Sequence, residues 1–122
     1  MKQSKILALI IFALVAIPVQ AQTFEQKFSK AEQIKAREGE TSEKYLDALS
    51  EAIQAAFIEE DDETANKYRQ IHSEIIKNKY GENSLEYAED LWRLGNVSSY
   101  KGEDYTFACY SRAAQILYLS CY

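Results

Sequence analysis

The chain has 122 residues, 47% of them hydrophobic and 27% charged, and a formal net charge of −5. That length accommodates one small domain. The acidic balance argues against nucleic acid and anionic membrane surfaces as partners, since both select for clustered Lys and Arg.

Lys2 and Lys5 precede an unbroken apolar run from Ile6 to Ile17, 12 residues long, with Pro18 behind it. The run is too short to span a bilayer as a helix, and Val19-Gln20-Ala21 offers small residues where a signal peptidase reads. The expectation is a bacterial-type signal peptide over residues 1–21, cleaved after Ala21, and an exported mature chain of 101 residues, periplasmic or secreted. The alternative is an uncleaved N-terminal anchor. No Cys follows the run closely enough for a lipoprotein. Without Lys2 and Lys5 the chain keeps 12 basic against 19 acidic residues, a net charge of −7. Cys109 and Cys121 lie where a disulfide is chemically permitted, but 12 residues of one helix separate them by roughly 18 Å, beyond bridging reach.

Phe24, Phe28, Ala31 and Ile34 recur at helical spacing and predict a first helix ended by Gly39. A second helix is predicted over Ser42–Ile58, with a wide apolar band from Tyr45, Leu46, Leu49, Ala52, Ile53, Ala56 and Phe57. The acidic run Glu59 to Glu63 lacks the alternation and turn glycine of a calcium loop. It reads instead as an N-cap, assigned to Asp62, with neighbours that complement a helix dipole. The third helix, about Glu63 to Lys79, presents Ala65, Tyr68, Ile71, His72, Ile75 and Ile76 on its packed face. His72, the one histidine in the chain, reads as a packed, hydrogen-bonded core residue; no local Ser, Cys or Asp pattern marks it as a catalytic base.

Asn83 and Glu86 make a capping box for a fourth helix, packed through Tyr87, Ala88, Leu91, Leu94, Gly95 and Val97 and followed by a turn at Lys101-Gly102-Glu103-Asp104. Gly95 inside that helix costs about 1 kcal/mol relative to Ala, which predicts a close approach by a neighbouring helix. Asp104 is the expected cap of the fifth helix, with a stripe of Phe107, Tyr110, Ala113, Ala114 and Leu117. No period-two alternation competes with these helices.

A shift of 42 places sets residues 39–80 on 81–122, and nine of the 42 pairs are identical: Gly39, Glu40, Ser42, Tyr45, Leu49, Asp62, Thr64, Tyr68 and Tyr80 with their partners. Chance gives about two or three. Such a period signals stacked supersecondary units. The chain therefore divides into a half unit, 22–38, and two full units, 39–80 and 81–122.

Ala88-x-x-Leu91-x-x-Leu94-Gly95, then Gly102, then Ala114 resembles a tetratricopeptide repeat. The turn Tyr80-Gly81-Glu82-Asn83-Ser84-x-x-Tyr87-Ala88 looks like the long 42-residue variant typified by kinesin light chain. Leu94-Gly95, Gly102, Asp104, Ala108 and Ala113-Ala114 also resemble the Sel1-type repeat, architecturally a close relative. The chain departs from the pattern at Phe107, where the family prefers Ala, and at Ile53 and His72, where it prefers Gly and a small residue.

The resemblance implies an all-α fold, a right-handed α-solenoid of antiparallel helix pairs with about five helices after the signal peptide. It also implies a non-catalytic protein-protein interaction module, without cofactor or metal, that binds a peptide or partner protein on a concave face. The family's groove positions fall on Asp47, Ser50, Gln54, Phe57 and Ile58 in the first full unit and on Glu89, Trp92, Asn96, Ser99 and Tyr100 in the second. Trp92 and Tyr100 are the expected aromatic anchors, and Trp92 can equally pack against a neighbouring helix. The basic residues with which some relatives clamp a terminal carboxylate are missing. Two other functions stay open: a small helical enzyme or ligand-binding domain using His72 and acidic residues, and self-association through an apolar, open C-terminal end at Leu117, Tyr118, Leu119, Cys121 and Tyr122.

Overall fold

The computed structural model describes residues 22–121, so the expected signal peptide and Tyr122 lie outside the described residues. The described chain is all-α: α1 Phe24–Glu38, α2 Glu43–Ile58, α3 Asp62–Tyr80, α4 Leu85–Asn96, a 3-10 turn Ser99–Lys101, and α5 Glu103–Ser120. Each helix packs on the next in chain order.

Local chemistry sets most of the boundaries. Thr23 and Gln26 form a reciprocal capping box at the start of α1; each satisfies a backbone N–H that the first turn leaves orphaned. Gly39 and Gly81 stop α1 and α3 in the same way, at φ 91° and 105°, with their N–H groups donating to the carbonyls of Lys35 and Lys77. A side chain is strained at such positive φ, so glycine is the residue the turn requires. Three residues later Ser42 and Ser84 cap α2 and α4, accepting from the N–H groups of Tyr45 and Tyr87 at 3.1 Å each. The glycine stop and the serine cap of this turn therefore recur 42 residues on.

Three expected caps move. Asp61 caps α3 through a bond from Thr64 N, and Asp62 becomes the first helical residue because the left-handed turn at Glu60, φ 63°, delivers the chain to the helix one residue early. Ser84 caps α4 in place of Asn83, since its hydroxyl both accepts from Tyr87 N and donates to Gly81 O. Gly102 precedes α5 without a side-chain cap, and Asp104 sits in the first turn, where its charge favours the dipole.

The core lies along α2, whose Tyr45, Leu46, Leu49, Ala52, Ile53, Ala55 and Ala56 are all buried. Each fully buried Leu or Ile there contributes about 1.5–3 kcal/mol. Phe24 and Phe28 of α1 meet Tyr68 of α3 with ring centroids 5.6 and 4.7 Å apart, so α1 reaches past α2 to α3. Leu94, Val97 and Cys109 join the same cluster from the second unit, and Ala88, Leu91, Ala113 and Ile116 form a smaller one between α4 and α5. Gly95 is tight against α5: a Cβ built on it would stand 2.6 Å from Cε1 of Tyr110.

Two stripes differ from the expected ones. α3 buries Asn66, Arg69 and Ser73 beside Ala65, His72 and Ile76, while Ile71 is exposed. α5 buries Cys109, Ala113 and Ile116 and leaves Phe107, Ala114 and Leu117 exposed. Packed mainly against α4, it needs to bury only one narrow stripe. Cys109 is buried and Cys121 exposed, both as free thiols.

Candidate functional site

The polar stripe of α3 follows helical geometry: Arg69, His72 and Ser73 lie three and four residues apart and so share one face. α2 flanks that face with Ser50 and the Leu46 carbonyl, and α4 with Asp90. Arg69 Nη2 donates to Ser50 Oγ at 3.1 Å, and Arg69 Nη1 stands 3.5 Å from Asp90 Oδ1. The Ser73 hydroxyl donates to Asp90 Oδ2. His72 has Nδ1 2.8 Å from Asp90 Oδ1 and Nε2 3.2 Å from the Leu46 carbonyl oxygen. Arg69, His72, Ser73 and Asp90 are each at least nine-tenths buried, and Ser50 is half-buried.

The His72–Asp90 approach has ion-pair distance without hydrogen-bond alignment, and Arg69 Nε and Nη1 likewise lack an aligned acceptor. Burial lowers the Arg69 pKa, and nearby Arg93 lowers it further, while Asp90 opposes both. A guanidinium starts so high that it keeps its charge, so Asp90 is the counterion that makes its burial tolerable. The arrangement is a latch that joins α2 and α3 to α4. His72 does not face the Ser73 hydroxyl: both side chains turn toward Asp90, and the other His72 nitrogen faces the Leu46 carbonyl.

A cleft of about 260 Å³ opens beside this latch, lined by α2 (Glu43, Leu46, Asp47, Ser50), α3 (His72, Ile76, Tyr80) and α4 (Glu86, Glu89, Asp90, Arg93). Arg93 is engaged with Glu89 at 2.7 Å. Among the described residues Glu43, Asp47 and Glu86 have no basic partner.

Of the ten expected groove residues, Asp47, Ser50 and Glu89 come together in this cleft, and Ser50 is already bonded to Arg69. Gln54, Phe57 and Ile58 are exposed farther along α2, outside its lining. Trp92 is 56% exposed with its ring 6.4 Å from that of Tyr110, whose hydroxyl donates to Asn96 Oδ1. Ser99 and Tyr100 stand on the 3-10 turn rather than on a helix. Ser99 lines a depression of about 320 Å³ with Glu103, Thr106, Phe107 and Tyr110. Tyr100 lines a broader groove of about 960 Å³ on another side, with Asn66, Gln70, Lys101 and Tyr105 among its walls. The aromatic pair Trp92 and Tyr100 is thus divided between two surfaces.

Arg69, Ser73 and Asp90 were not among the expected site residues. Arg69 and Ser73 carried a legible signal, since polar residues at i and i+4 straddle the packed His72; Asp90 carried none, because the repeat sets Ala48 at its place. No family model, no curated protein and no solved structure matches the chain.

Proposed function

We propose that this chain is an exported, non-catalytic interaction module of the tetratricopeptide-like type, whose helix pairs stack as a right-handed solenoid and hold a peptide or partner protein on the face shared by α2 and α4. The observation that carries this reading is the cleft between equivalent positions of the two units, where Asp47 and Glu89, 42 residues apart, line one cavity. Helix pairs of one repeat cannot bury their apolar faces alone, and stacking them leaves a continuous surface on one side. The matching turns at Gly39–Ser42 and Gly81–Ser84 support the repeat on which the reading depends.

The test uses immobilised chain against the exported fraction of its own source. Asp47→Ala/Glu89→Ala is expected to lose a partner that the parent protein captures, with helicity by circular dichroism unchanged. Equal recovery by parent and variant removes the α2–α4 face from the proposal. Trp92→Ala/Tyr100→Ala, run beside it, asks whether the aromatic anchors on the other surfaces contribute. The intact mass of the natural protein tests cleavage after Ala21.

A second reading, self-association, is favoured by the exposed apolar side chains of α5: Phe107 is 72% exposed and Leu119 57%. Sedimentation at several concentrations decides it, and a mass that stays monomeric throughout rejects it.

A further inference from the structure

The cleft between α2, α3 and α4 is selective in its chemistry. Its walls carry an apolar part, Leu46 and Ile76 with the Tyr80 ring, and its rim carries Glu43, Asp47 and Glu86, none of which has a basic partner among the described residues. The one arginine in the lining is committed to Glu89. Asp90 at the inner side is committed to Arg69, Ser73 and His72, so the cleft's floor is occupied by an internal network while its rim keeps uncompensated negative charge.

We infer that this cleft receives one long basic side chain, an arginine or lysine of the bound peptide, with its alkyl stem along Leu46, Ile76 and Tyr80 and its charged head among Asp47, Glu86 and Glu43. The inference rests on reading the α2–α4 face as the binding face. Two features of the cleft select this occupant. At about 260 Å³ it is below the roughly 300–1,000 Å³ of pockets that enclose whole small molecules, and suits one inserted side chain. Its carboxylates are also spread along two helices: among the described residues no three His, Cys, Asp or Glu groups are close enough together to share a metal ion. An extended cation with several donors can reach separate carboxylates where a compact ion cannot. Amphipathic basic side chains bury their stems on apolar surface while the head stays polar, as this combination of wall and rim requires.

The experiment is a titration of the isotopically labelled full chain, followed by backbone amide shifts, with three end-blocked amino acids: N-acetyl-arginine N-methylamide, the lysine equivalent, and the neutral citrulline equivalent. The arginine or lysine probe is expected to give saturable shifts centred on Asp47, Ser50 and Glu86. Citrulline should bind about tenfold more weakly, and Asp47→Asn/Glu86→Gln should weaken the basic probe by roughly tenfold. Both replaced side chains are exposed, so the variant is expected to melt at the parent temperature. Equal shifts with citrulline, an unchanged titration of the double variant, or non-saturating shifts spread over all surface carboxylates would overturn the inference. If the double variant still captures the natural partner while the basic probes fail, the binding-face reading survives and only the basic-side-chain assignment falls. If parent protein binds the probes yet captures no partner, the reverse holds.

Discussion

Residues 39–58 and 81–100 begin on the same Gly-Glu-x-Ser turn and then diverge. In the first, α2 runs unbroken for 16 residues; in the second, α4 stops after 12 and gives way to a 3-10 turn. The difference follows from Gln54-Ala55-Ala56-Phe57 in one and Asn96-Val97-Ser98-Ser99 in the other. Alanine and glutamine favour the helix, whereas Asn and Ser compete for its backbone groups. Ser98 does so visibly, its hydroxyl donating to the Leu94 carbonyl. A second divergence is in the packing: Ile53 is fully buried in the first unit, and its counterpart Gly95 admits the ring of Tyr110. A third is electrostatic. Arg69, His72 and Ser73 of α3 meet Asp90, but their counterparts on α5 are Ser111, Ala114 and Gln115, so the buried polar latch joins α2 and α3 to α4 and is not itself repeated. A shared turn thus fixes where helices start and stop, while each interface is solved with its own side chains.

The sharpest way to break this comparison is Asp90→Ala, which leaves Arg69 as a buried, uncompensated charge. It is expected to destabilise the protein by about 3–5 kcal/mol in urea denaturation. Replacing both partners, Arg69→Met with Asp90→Leu, should recover most of that loss. A loss below 1 kcal/mol for Asp90→Ala would show that the latch is not what joins α2 and α3 to α4.

Gly95→Ala probes the packing difference. Helix propensity favours Ala by about 1 kcal/mol, but the Cβ meets Tyr110 at 2.6 Å, and such overpacking costs about 1–3 kcal/mol. A net destabilisation of about 1 kcal/mol is expected by thermal unfolding. In a Tyr110→Ala background the same change should stabilise, and a sign that does not reverse would mean the ring contact is not the cause.

Ser42→Ala and Ser84→Ala test the part that is shared. Each is expected to cost about 1 kcal/mol, with values equal within roughly 0.5 kcal/mol if the two turns are energetically the same. Unequal losses in urea would show that the surroundings, not the turn, set the energetics.

The smallest effect concerns Glu60, the counterpart of Gly102. Both have positive φ, 63° and 105°, a conformation that costs an ordinary side chain about 1 kcal/mol. Glu60→Gly, which makes the first unit resemble the second, is expected to stabilise by about 0.5 kcal/mol. Destabilisation on denaturant titration would show that the Glu60 side chain contributes more than its backbone strain costs.

The candidate site was legible only in part. The resemblance to the tetratricopeptide pattern put Asp47, Ser50 and Glu89 among the groove positions, and these three side chains line one cleft. Tyr100 was expected beside Trp92 on a continuous helix, and the break after Asn96 carries it to another surface. The burial of Asp90 was not legible, because charged residues are ordinarily at the surface and its counterpart 42 residues earlier is Ala48. A pattern of residue types cannot say that two charges on different helices have found each other.

By itself the sequence determined the all-helical content, the positions of the helix ends at Gly39 and Gly81, and the recurrence of one turn after 42 residues. These depend on interactions within a few residues, such as a serine hydroxyl on a nearby N–H or a glycine where φ must be positive. Tertiary structure alone decided which stripe of α3 and α5 faces inward, that Asp90 neutralises Arg69, and that a carboxylate-rimmed cleft forms between the units. Those outcomes depend on which helices come into contact, since burial and charge pairing are properties of two surfaces and are encoded in neither one separately.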